Sequence, residues 1–496
     1  MNQQRLIIVS NRLPFVLSQE NGEYKVKQGS GGLVTAMVPV LKNRGGVWVG
    51  WLGAYEDESE KTKKAVDQIR KNLGYELVEV GLNKEEVDGF YYGYSNEIIW
   101  PLFHDLPSFC NFNPAYWHAY QSVNTKYAKQ VSQISKADDF IWVQDYQLIC
   151  VASELRKMGN TQNIGFFLHI PFPPLDLFLK LPQRFSILEA LLSYNLIGFQ
   201  TMRDKRNFME CLRLLMPNVK IKGKTNLQTV VTDYSEVRVG AFPISIDYKE
   251  FVKKASLPAV VEKCAQIHSD LPDRELILGI DRLDYSKGIP YRLKAFAYML
   301  GRHPELIGKV TFIQVVVPSR EDITSYSKLK EQIEMLVGEI NGRFTISGWV
   351  PVHYIYRHLT QTELISYYRA SMIAFVTPLK DGMNLVAKEF CTCSIDKKSV
   401  LVLSEFAGAA AELQIGALLV NPFDIEGVSD TLYTAITMDD RERKTRMEKL
   451  RAKVRDNTIY DWIDGYLSAL ASKTLGDFPI VDDYVPTSDN PALEEG

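Results

Sequence analysis

The chain has 496 residues, too many for one ordinary core and suited to two large domains. Its 57 Lys and Arg stand against 60 Asp and Glu, a balance that argues against nucleic acid or a membrane surface as a partner. The six cysteines are scattered, and Cys391 and Cys393 have neither a second pair nor a nearby His to complete a metal site, so all are read as reduced thiols. A polar N-terminus running straight into a strand leaves no room for a signal peptide, and no apolar run reaches the ~18 residues of a membrane span. A soluble, cytoplasmic protein is the expectation.

Arg5 to Ser10 reads as a short apolar strand, and Asn11 and Arg12 emerge where it stops. Gly29-Ser-Gly-Gly32 then precedes the helix-like stretch Leu33 to Leu41, so Gly31 and Gly32 let a backbone approach an anion at a helix N-terminus. The spacing is not that of the dinucleotide fingerprint G-x-G-x-x-G. Trp48 and Trp51 lie among the glycines of 46–53, and Phe90 to Trp100 is an aromatic-rich stretch that includes Tyr91. On loops, such rings cover sugar faces while their polar tips bond hydroxyls; in a core, they simply pack.

The apolar run Phe140 to Val143 closes with Gln144-Asp-Tyr-Gln147, which puts the Asp145 carboxylate at a strand's carboxyl end. Ile164 to Ile170 is a second buried strand, with His169 at its end before a Pro-rich loop. A satisfied core histidine is the ordinary alternative there. Leu196 to Gln200 is a third strand, Arg203 to Met216 a helix, and Val237 to Ile244 a strand entering a connection. Strands alternating with helices predict a parallel, doubly wound sheet.

Residues 245–258 read as a linker and the start of a second domain. Glu275 to Asp281 is its first strand, and it ends in Arg282-Leu-Asp-Tyr-Ser-Lys-Gly-Ile-Pro290, with Pro290 suited to the first turn of a helix. Arg282 and Lys287 therefore share one loop, where a bidentate Arg and a point-charge Lys make a fair phosphate clamp. Lys309 to Val317 is a strand finishing at Pro318-Ser-Arg320, residues 321–338 are a charged helix, and 347–350 a turn. Met372 to Pro378 is a buried strand leading into Lys380-Asp-Gly-Met-Asn-Leu-Val-Ala-Lys-Glu389. A Gly-containing turn at the carboxyl end of a strand, opening a helix, is where open α/β sheets bind ligands, anionic ones above all. Asp381 accepts hydroxyl protons in this reading, and Glu389, two turns into the helix, clasps a vicinal diol such as a ribose. Strands at 400–404 and 417–420, with helices after each, make the second half doubly wound too. Residues 461–472 form an amphipathic helix, and the acidic stretch 473–496 is expected to be disordered.

With these residues placed, the chain resembles the trehalose-6-phosphate synthase family of retaining glycosyltransferases, over roughly residues 5 to 472. The motifs that carry the resemblance are Ser10-Asn-Arg12, Gly31-Gly-Leu33, His169-Ile-Pro-Phe-Pro173, Arg282-Leu-Asp-Tyr-Ser-Lys-Gly288 and Asp381-Gly-Met-Asn-Leu-Val-Ala-Lys-Glu389. The resemblance implies an α/β fold of GT-B class, two Rossmann-like doubly wound domains with a central cleft. Residues 1–245 would bind the acceptor and 246–457 the nucleotide sugar, with the helix of about 458–472 packing back on the first domain. It implies a nucleoside-diphosphate glucose, UDP-glucose above others, as co-substrate, glucose 6-phosphate as acceptor, and no catalytic metal or cofactor. By matching motif, the donor residues would be Gly32, His169, Arg282, Lys287, Asp381, Gly382, Met383, Asn384, Leu385 and Glu389. Of these, His169 and Asp381 would hold the sugar hydroxyls, Arg282 and Lys287 the diphosphate, and Glu389 the ribose. His169, Arg282, Lys287 and Asp381 would be catalytic. The acceptor residues would be Arg12, Trp51, Tyr91, Trp100, Asp145 and Arg320.

The chain departs from the family at Gln147, where Asp-Tyr-His-Leu is usual. Two other readings stay open at this point. One keeps the donor but takes another phosphorylated acceptor such as glycerol 3-phosphate, and the other is a non-catalytic regulatory relative that binds sugar phosphates. No room remains after residue 472 for the phosphatase domain of some relatives. The donor base and the oligomeric state, including a homo-oligomer, are left open.

Overall fold

The computed structural model describes residues 4–20, 23–28, 34, 37–38, 40–42, 45–55, 73–223, 226–320, 323–471 and 481–486. Two compact units divide the chain, Met1–Pro243 with Trp462–Val481, and Ile244–Asp461 with Asp482–Gly496.

Among the described residues, unit 1 is built on β1 (Leu6–Arg12), the hairpin β2 (Phe15–Glu20) and β3 (Glu23–Gln28), β4 (Gly46–Trp51), β5 (Glu76–Glu79), β6 (Phe140–Gln144), β7 (Asn163–Phe167), β8 (Leu196–Phe199), β9 (Lys220–Lys222), β10 (Leu227–Val231) and β11 (Glu236–Ala241). All but the hairpin join one sheet in the order β5-β4-β1-β6-β7-β8-β11-β10-β9. β1 is buried on both faces from Leu6 to Asn11, as a central parallel strand of β-branched residues must be. The sheet is parallel from β5 through β11, but β10 pairs antiparallel with both β11 and β9. The expectation of a wholly parallel sheet is thus corrected at one edge. A turn at 232–235 is too short for a helical crossover and allows only a hairpin.

Two further corrections fall in unit 1. Pro114–Ile134 is a 21-residue helix capped by Asn113, which the sequence reading did not pick out. Residues Val87–Ile99 form a 13-residue π-helix rather than a loop, and Trp100–Phe103 continues it as an α-helical turn. The Trp100 amide accordingly reaches back five residues to the Ser95 carbonyl. π-helical turns are rare and frequently lie at functional sites. The helix Ile459–Ala471 belongs to unit 1 from Trp462 onward. Its Tyr466 stacks on Trp142 at 4.3 Å and donates to the Phe166 carbonyl at 2.9 Å. That approach needs bare backbone: a Cβ on Gly165 would stand 2.6 Å from the Tyr466 hydroxyl, and one on Gly198 2.7 Å from its ring.

Unit 2 holds a six-stranded parallel sheet in the order β14-β13-β12-β15-β16-β17. Its strands are β12 (Glu275–Arg282), β13 (Val310–Val317), β14 (Val352–Tyr356), β15 (Ile373–Val376), β16 (Val400–Ser404) and β17 (Leu418–Val420). β14 was not anticipated, nor was the helix Asp440–Asp456. The expected linker also contains a helix, Tyr248–Ala255, whose Asp247 caps the Glu250 amide. Of the stretch expected to be disordered, residues 482–486 are placed in unit 2, and 473–480 and 487–496 lie outside the described residues. No helix among the described residues is long and apolar enough to cross a membrane.

Candidate active site

In both units several of the predicted residues, Arg12, Trp51, Asp145, His169, Arg282, Arg320 and Asp381, sit at or just after the ends of parallel strands, the place where loops are free to carry function on a rigid frame. In unit 1, Arg12 closes β1, and its guanidinium lies 4.4 Å from the Trp51 ring centre and 5.8 Å from that of Tyr91. Trp51 is buried and donates its indole N–H to the Ala54 carbonyl at 2.7 Å. Two rings thus hold one cation in place. Asn96 donates to the Tyr91 carbonyl at 2.6 Å and accepts from the Tyr146 hydroxyl at 2.9 Å. Tyr146 in turn lies 5.7 Å from Trp100, whose ring centre is 4.2 Å from that of His104 with the planes tilted by 32°. The aromatic candidates therefore share one network on the π-helix. Trp100 is buried within it rather than displayed on a loop.

Asp145 follows β6 at φ 72° and ψ 170°, a region that only glycine enters freely. A non-glycine residue held there stores on the order of 1–3 kcal/mol of strain. The surroundings fix it: its amide donates to the Phe167 carbonyl at 2.8 Å, and its Oδ1 accepts the His169 amide at 3.1 Å. The strain orients this carboxylate against the end of β7. Gln147, the residue that departs from the family pattern, is buried in the turn that follows.

Sequence reasoning found His169 but not its partners. Nε2 of the ring meets Gln144 Oε1 at 2.9 Å, and Nδ1 meets Gln200 Nε2 at 3.3 Å. Loss of hydration pushes the imidazole pKa down to about 3, so the ring is neutral at physiological pH. Two neutral amides accommodate it in that state. Gln144 Nε2 and Asn11 Oδ1 are buried without a hydrogen-bond partner among the described residues. They flank His169 and Arg12 respectively in the sequence or by contact, and such orphaned groups call for a partner.

In unit 2, Arg282 is the last residue of β12 and is exposed. The chain then turns through Tyr285–Lys287, with Asp284 Oδ1 accepting the Ser286 amide at 2.9 Å. Lys287 Nζ reaches Asp381 Oδ2 at 2.6 Å. Asn384 lies in the left-handed region at φ 80° and does two things: Oδ1 caps the Ala387 amide, and Nδ2 donates to Asp381 Oδ2 at 3.1 Å. Lys287, Asp381 and Asn384 are thus one hydrogen-bonded group at the mouth of helix Leu385–Cys393. The first amides of such a helix have no intrahelical acceptor and favour an anion.

The segment after β16 seats this loop. Asp381 N–H donates to Phe406 O at 3.3 Å, Gly408 N–H to Asp381 O at 3.1 Å, and Ala409 N–H to Met383 O at 2.7 Å. Gly408 is obligatory in this packing, since a Cβ there would stand 1.9 Å from the Gly382 carbonyl oxygen. Behind the loop, Arg292 is buried with its Nη1 2.8 Å from Asp281 Oδ2 and its Nε bonded to Thr377 at 3.0 Å. Burial raises the Asp281 pKa, and Arg292 and Lys287 oppose the rise.

Arg320 stands at φ 51° after β13 and meets Asp284 Oδ2 at 3.3 Å and the Tyr326 hydroxyl at 2.6 Å. It belongs to unit 2, whereas the other residues read as acceptor-binding belong to unit 1. Glu389 accepts from the Tyr368 hydroxyl at 2.8 Å, and burial pushes its carboxyl pKa up to about 7. Gly32 lies outside the described residues. Among the described residues no group of three or more His, Cys, Asp or Glu is arranged to hold a metal ion.

Comparison with known proteins gives this arrangement its context. The family model of glycosyltransferase family 20 matches residues 4–472. The chain belongs to glycosyltransferase family 20. A trehalose-6-phosphate synthase from Mycolicibacterium vanbaalenii is 40% identical over 476 residues, covering 94% of this chain and 96% of that protein. Among solved structures, an E. coli relative bound with UDP-2-fluoro glucose is 35% identical, with a TM-score of 0.85 over 94% of this chain and 99% of the other. An alpha,alpha-trehalose-phosphate synthase from Burkholderia xenovorans, in complex with glucose-6-phosphate, is 34% identical with a TM-score of 0.85, covering 94% and 100%. The fold is accordingly of GT-B class, with two Rossmann-like domains, as family 20 membership predicts.

Proposed function

We infer that the protein is a glucosyltransferase that moves glucose from UDP-glucose to glucose 6-phosphate and yields trehalose 6-phosphate. The observation that carries this reading is the near full-length match to synthases, one of them solved with glucose-6-phosphate, by a chain that keeps Arg12, His169, Arg282, Lys287, Asp381 and Glu389. The family match gives no support to glycerol 3-phosphate as the acceptor, so Gln147 is read as a tolerated substitution.

In the mechanism we propose, departure of UDP leaves negative charge on the leaving phosphate oxygen and positive charge on the glucose ring. Arg282, Lys287 and the amides opening helix Leu385–Cys393 meet the first. Preorganised donors of this kind are worth about 3–4 kcal/mol each. Asp381 and His169 hold the sugar hydroxyls, and Glu389 the ribose diol. Arg12 and Arg320 bind the acceptor phosphate, with Tyr91 beside Arg12, while Trp51, Trp100 and Asp145 orient the acceptor sugar. A two-step route through a glycosyl-enzyme would want paired carboxylates at the anomeric carbon. We propose instead attack from the face the leaving group departs: the acceptor hydroxyl bonds to the anomeric carbon, the bond to phosphate breaks, and the phosphate oxygen takes the hydroxyl proton. Configuration is retained, and no step calls on a metal.

The test is a product assay with UDP-glucose and either glucose 6-phosphate or glycerol 3-phosphate, following UDP release and reading the anomeric configuration by NMR. Turnover with glucose 6-phosphate to an α,α-linked product is expected. Turnover only with glycerol 3-phosphate, or with neither, overturns the reading; a trapped covalent glycosyl-enzyme overturns the mechanism.

A further inference from the structure

Residues 482–486 lie beyond everything the proposed reaction uses, yet three side-chain contacts hold them within unit 2. Lys453 Nζ pairs with Asp482, Gln414 Nε2 donates to the Asp483 carbonyl at 3.1 Å, and the Tyr484 hydroxyl donates to Glu405 Oε2 at 2.9 Å. The Lys453–Asp482 pair is part-exposed and contributes little by itself. A hydrogen bond to a carboxylate is the stronger kind.

Two of the three partners, Glu405 and Gln414, bracket the segment that seats the Asp381 loop. Within it, Phe406 O, Gly408 N–H and Ala409 N–H take the backbone of Asp381 and Met383, and Ala407 forms a parallel bridge with Asp381. Glu405 itself is tied by its amide to Val420 at the end of β17, so its side chain is what connects the seat to Tyr484. The chain of contacts runs from Tyr484 to Glu405, through the seat, to the loop that carries Asp381 and opens the helix of Glu389.

We propose that residues 482–486 are a strap that positions the nucleotide-sugar loop, with Tyr484 as a positioning residue acting through Glu405. The inference rests on the reading of that loop as the donor site. Its consequence is that donor affinity depends on a segment remote in sequence from every donor residue.

The experiment compares the full-length protein with Tyr484→Phe, Tyr484→Ala and Asp482→Lys, and with the swap Lys453→Asp/Asp482→Lys. Hydrogen exchange at the Gly408 and Ala409 amides and separate KM values for UDP-glucose and glucose 6-phosphate are read. Expected in the two Tyr484 variants are faster exchange at those two amides and a donor KM raised about 3- to 30-fold, with kcat and acceptor KM near wild type; Asp482→Lys, which sets two cations together, should move the same readouts in the same direction by less and recover in the swap. Unchanged exchange in Tyr484→Ala overturns the strap whatever the activity does. A uniform loss, with both KM values and the melting temperature moving together, overturns it as well. If the wild type does not turn over these substrates, the proposed function falls, and the exchange rates still decide whether the strap holds the loop.

Discussion

Replacing Glu389 with Gln tests whether the carboxyl two turns into helix Leu385–Cys393 is held ready for a ligand at a cost to the fold. Burial moves its pKa from the ordinary 4.5 to about 7, and the single Tyr368 hydrogen bond opposes the shift without cancelling it. Between those two values the folded protein binds more protons here than the unfolded chain does. Stability therefore falls as pH rises through that window: the favourable contribution is complete below about 4.5 and gone above about 7. At about 1.4 kcal/mol per pH unit the ceiling is ~3 kcal/mol, and the partial exposure of Glu389 reduces it to roughly 2. Gln keeps the Tyr368 bond and does not ionise.

Melting curves of wild type and Glu389→Gln from pH 5 to 8.5 should therefore diverge, the variant gaining about 4–8 °C relative to wild type across the range. A ribose diol donating to the carboxylate favours its ionised form. UDP should consequently bind wild type more tightly as pH rises through 7, with release of a proton measurable by calorimetry in buffers of different ionisation enthalpy. Parallel melting curves, or UDP affinity with the same pH dependence in both proteins, would refute the reasoning.

Three further outcomes follow from the geometry. Lys287→Met removes the cation 2.6 Å from Asp381 and should lower kcat by about 10²- to 10³-fold; a loss under threefold would place the diphosphate elsewhere. Asp145→Gly relieves ~1–3 kcal/mol of backbone strain but forfeits a carboxylate hydrogen bond of similar worth. Its melting temperature should thus stay near wild type while turnover collapses, and a large drop in melting temperature would show that the backbone at φ 72° is not strained. Gly408→Ala drives a methyl into the Gly382 carbonyl and should raise the donor KM while the circular dichroism spectrum is kept; an unchanged KM would show that the seat does not set the loop.

The legible parts of the fold were those in which one local pattern decides the outcome. β12 and β1 are continuous apolar runs, because a strand covered on both faces has no solvent side to mark. Each run stops at a charged residue, Arg282 or Arg12, and so the candidate loops could be read with the strands. Asp440–Asp456 escaped notice because its buried side is only Arg443, Met447, Leu450 and Val454 in an otherwise charged sequence. The π-helix escaped because its bonds span five residues, a period that neither the helical nor the strand template matches. Within the site, sequence supplied the residues at strand ends but not what grips them. Gln144 and Gln200 lie 25 and 31 residues from His169, and Tyr368 lies 21 from Glu389, so only the sheet order brings them together.

Among the cations beside the loop cluster of unit 2, three already face a carboxylate: Lys287 with Asp381, Arg320 with Asp284, and Arg292 with Asp281. Exposure separates their roles. The Arg292 and Asp281 side chains are 0% and 3% exposed, so no ligand reaches them, and removing either alone would strand a buried charge at a cost of about 3–5 kcal/mol. That pair is structural: Arg292 also bonds Thr377 and the Lys287 carbonyl, which fixes the loop from behind. Lys287 and Asp381 are 11% and 14% exposed, enough to be reached by a ligand without being bathed in water. In the proposed mechanism, an arriving diphosphate shares Lys287 with Asp381 while Asn384 keeps hold of that carboxylate, leaving Asp381 aimed to accept a sugar hydroxyl. Pairing within the protein therefore presets both groups, and in the proposed mechanism charge developing on the leaving phosphate meets a cation that has no large reorganisation to make.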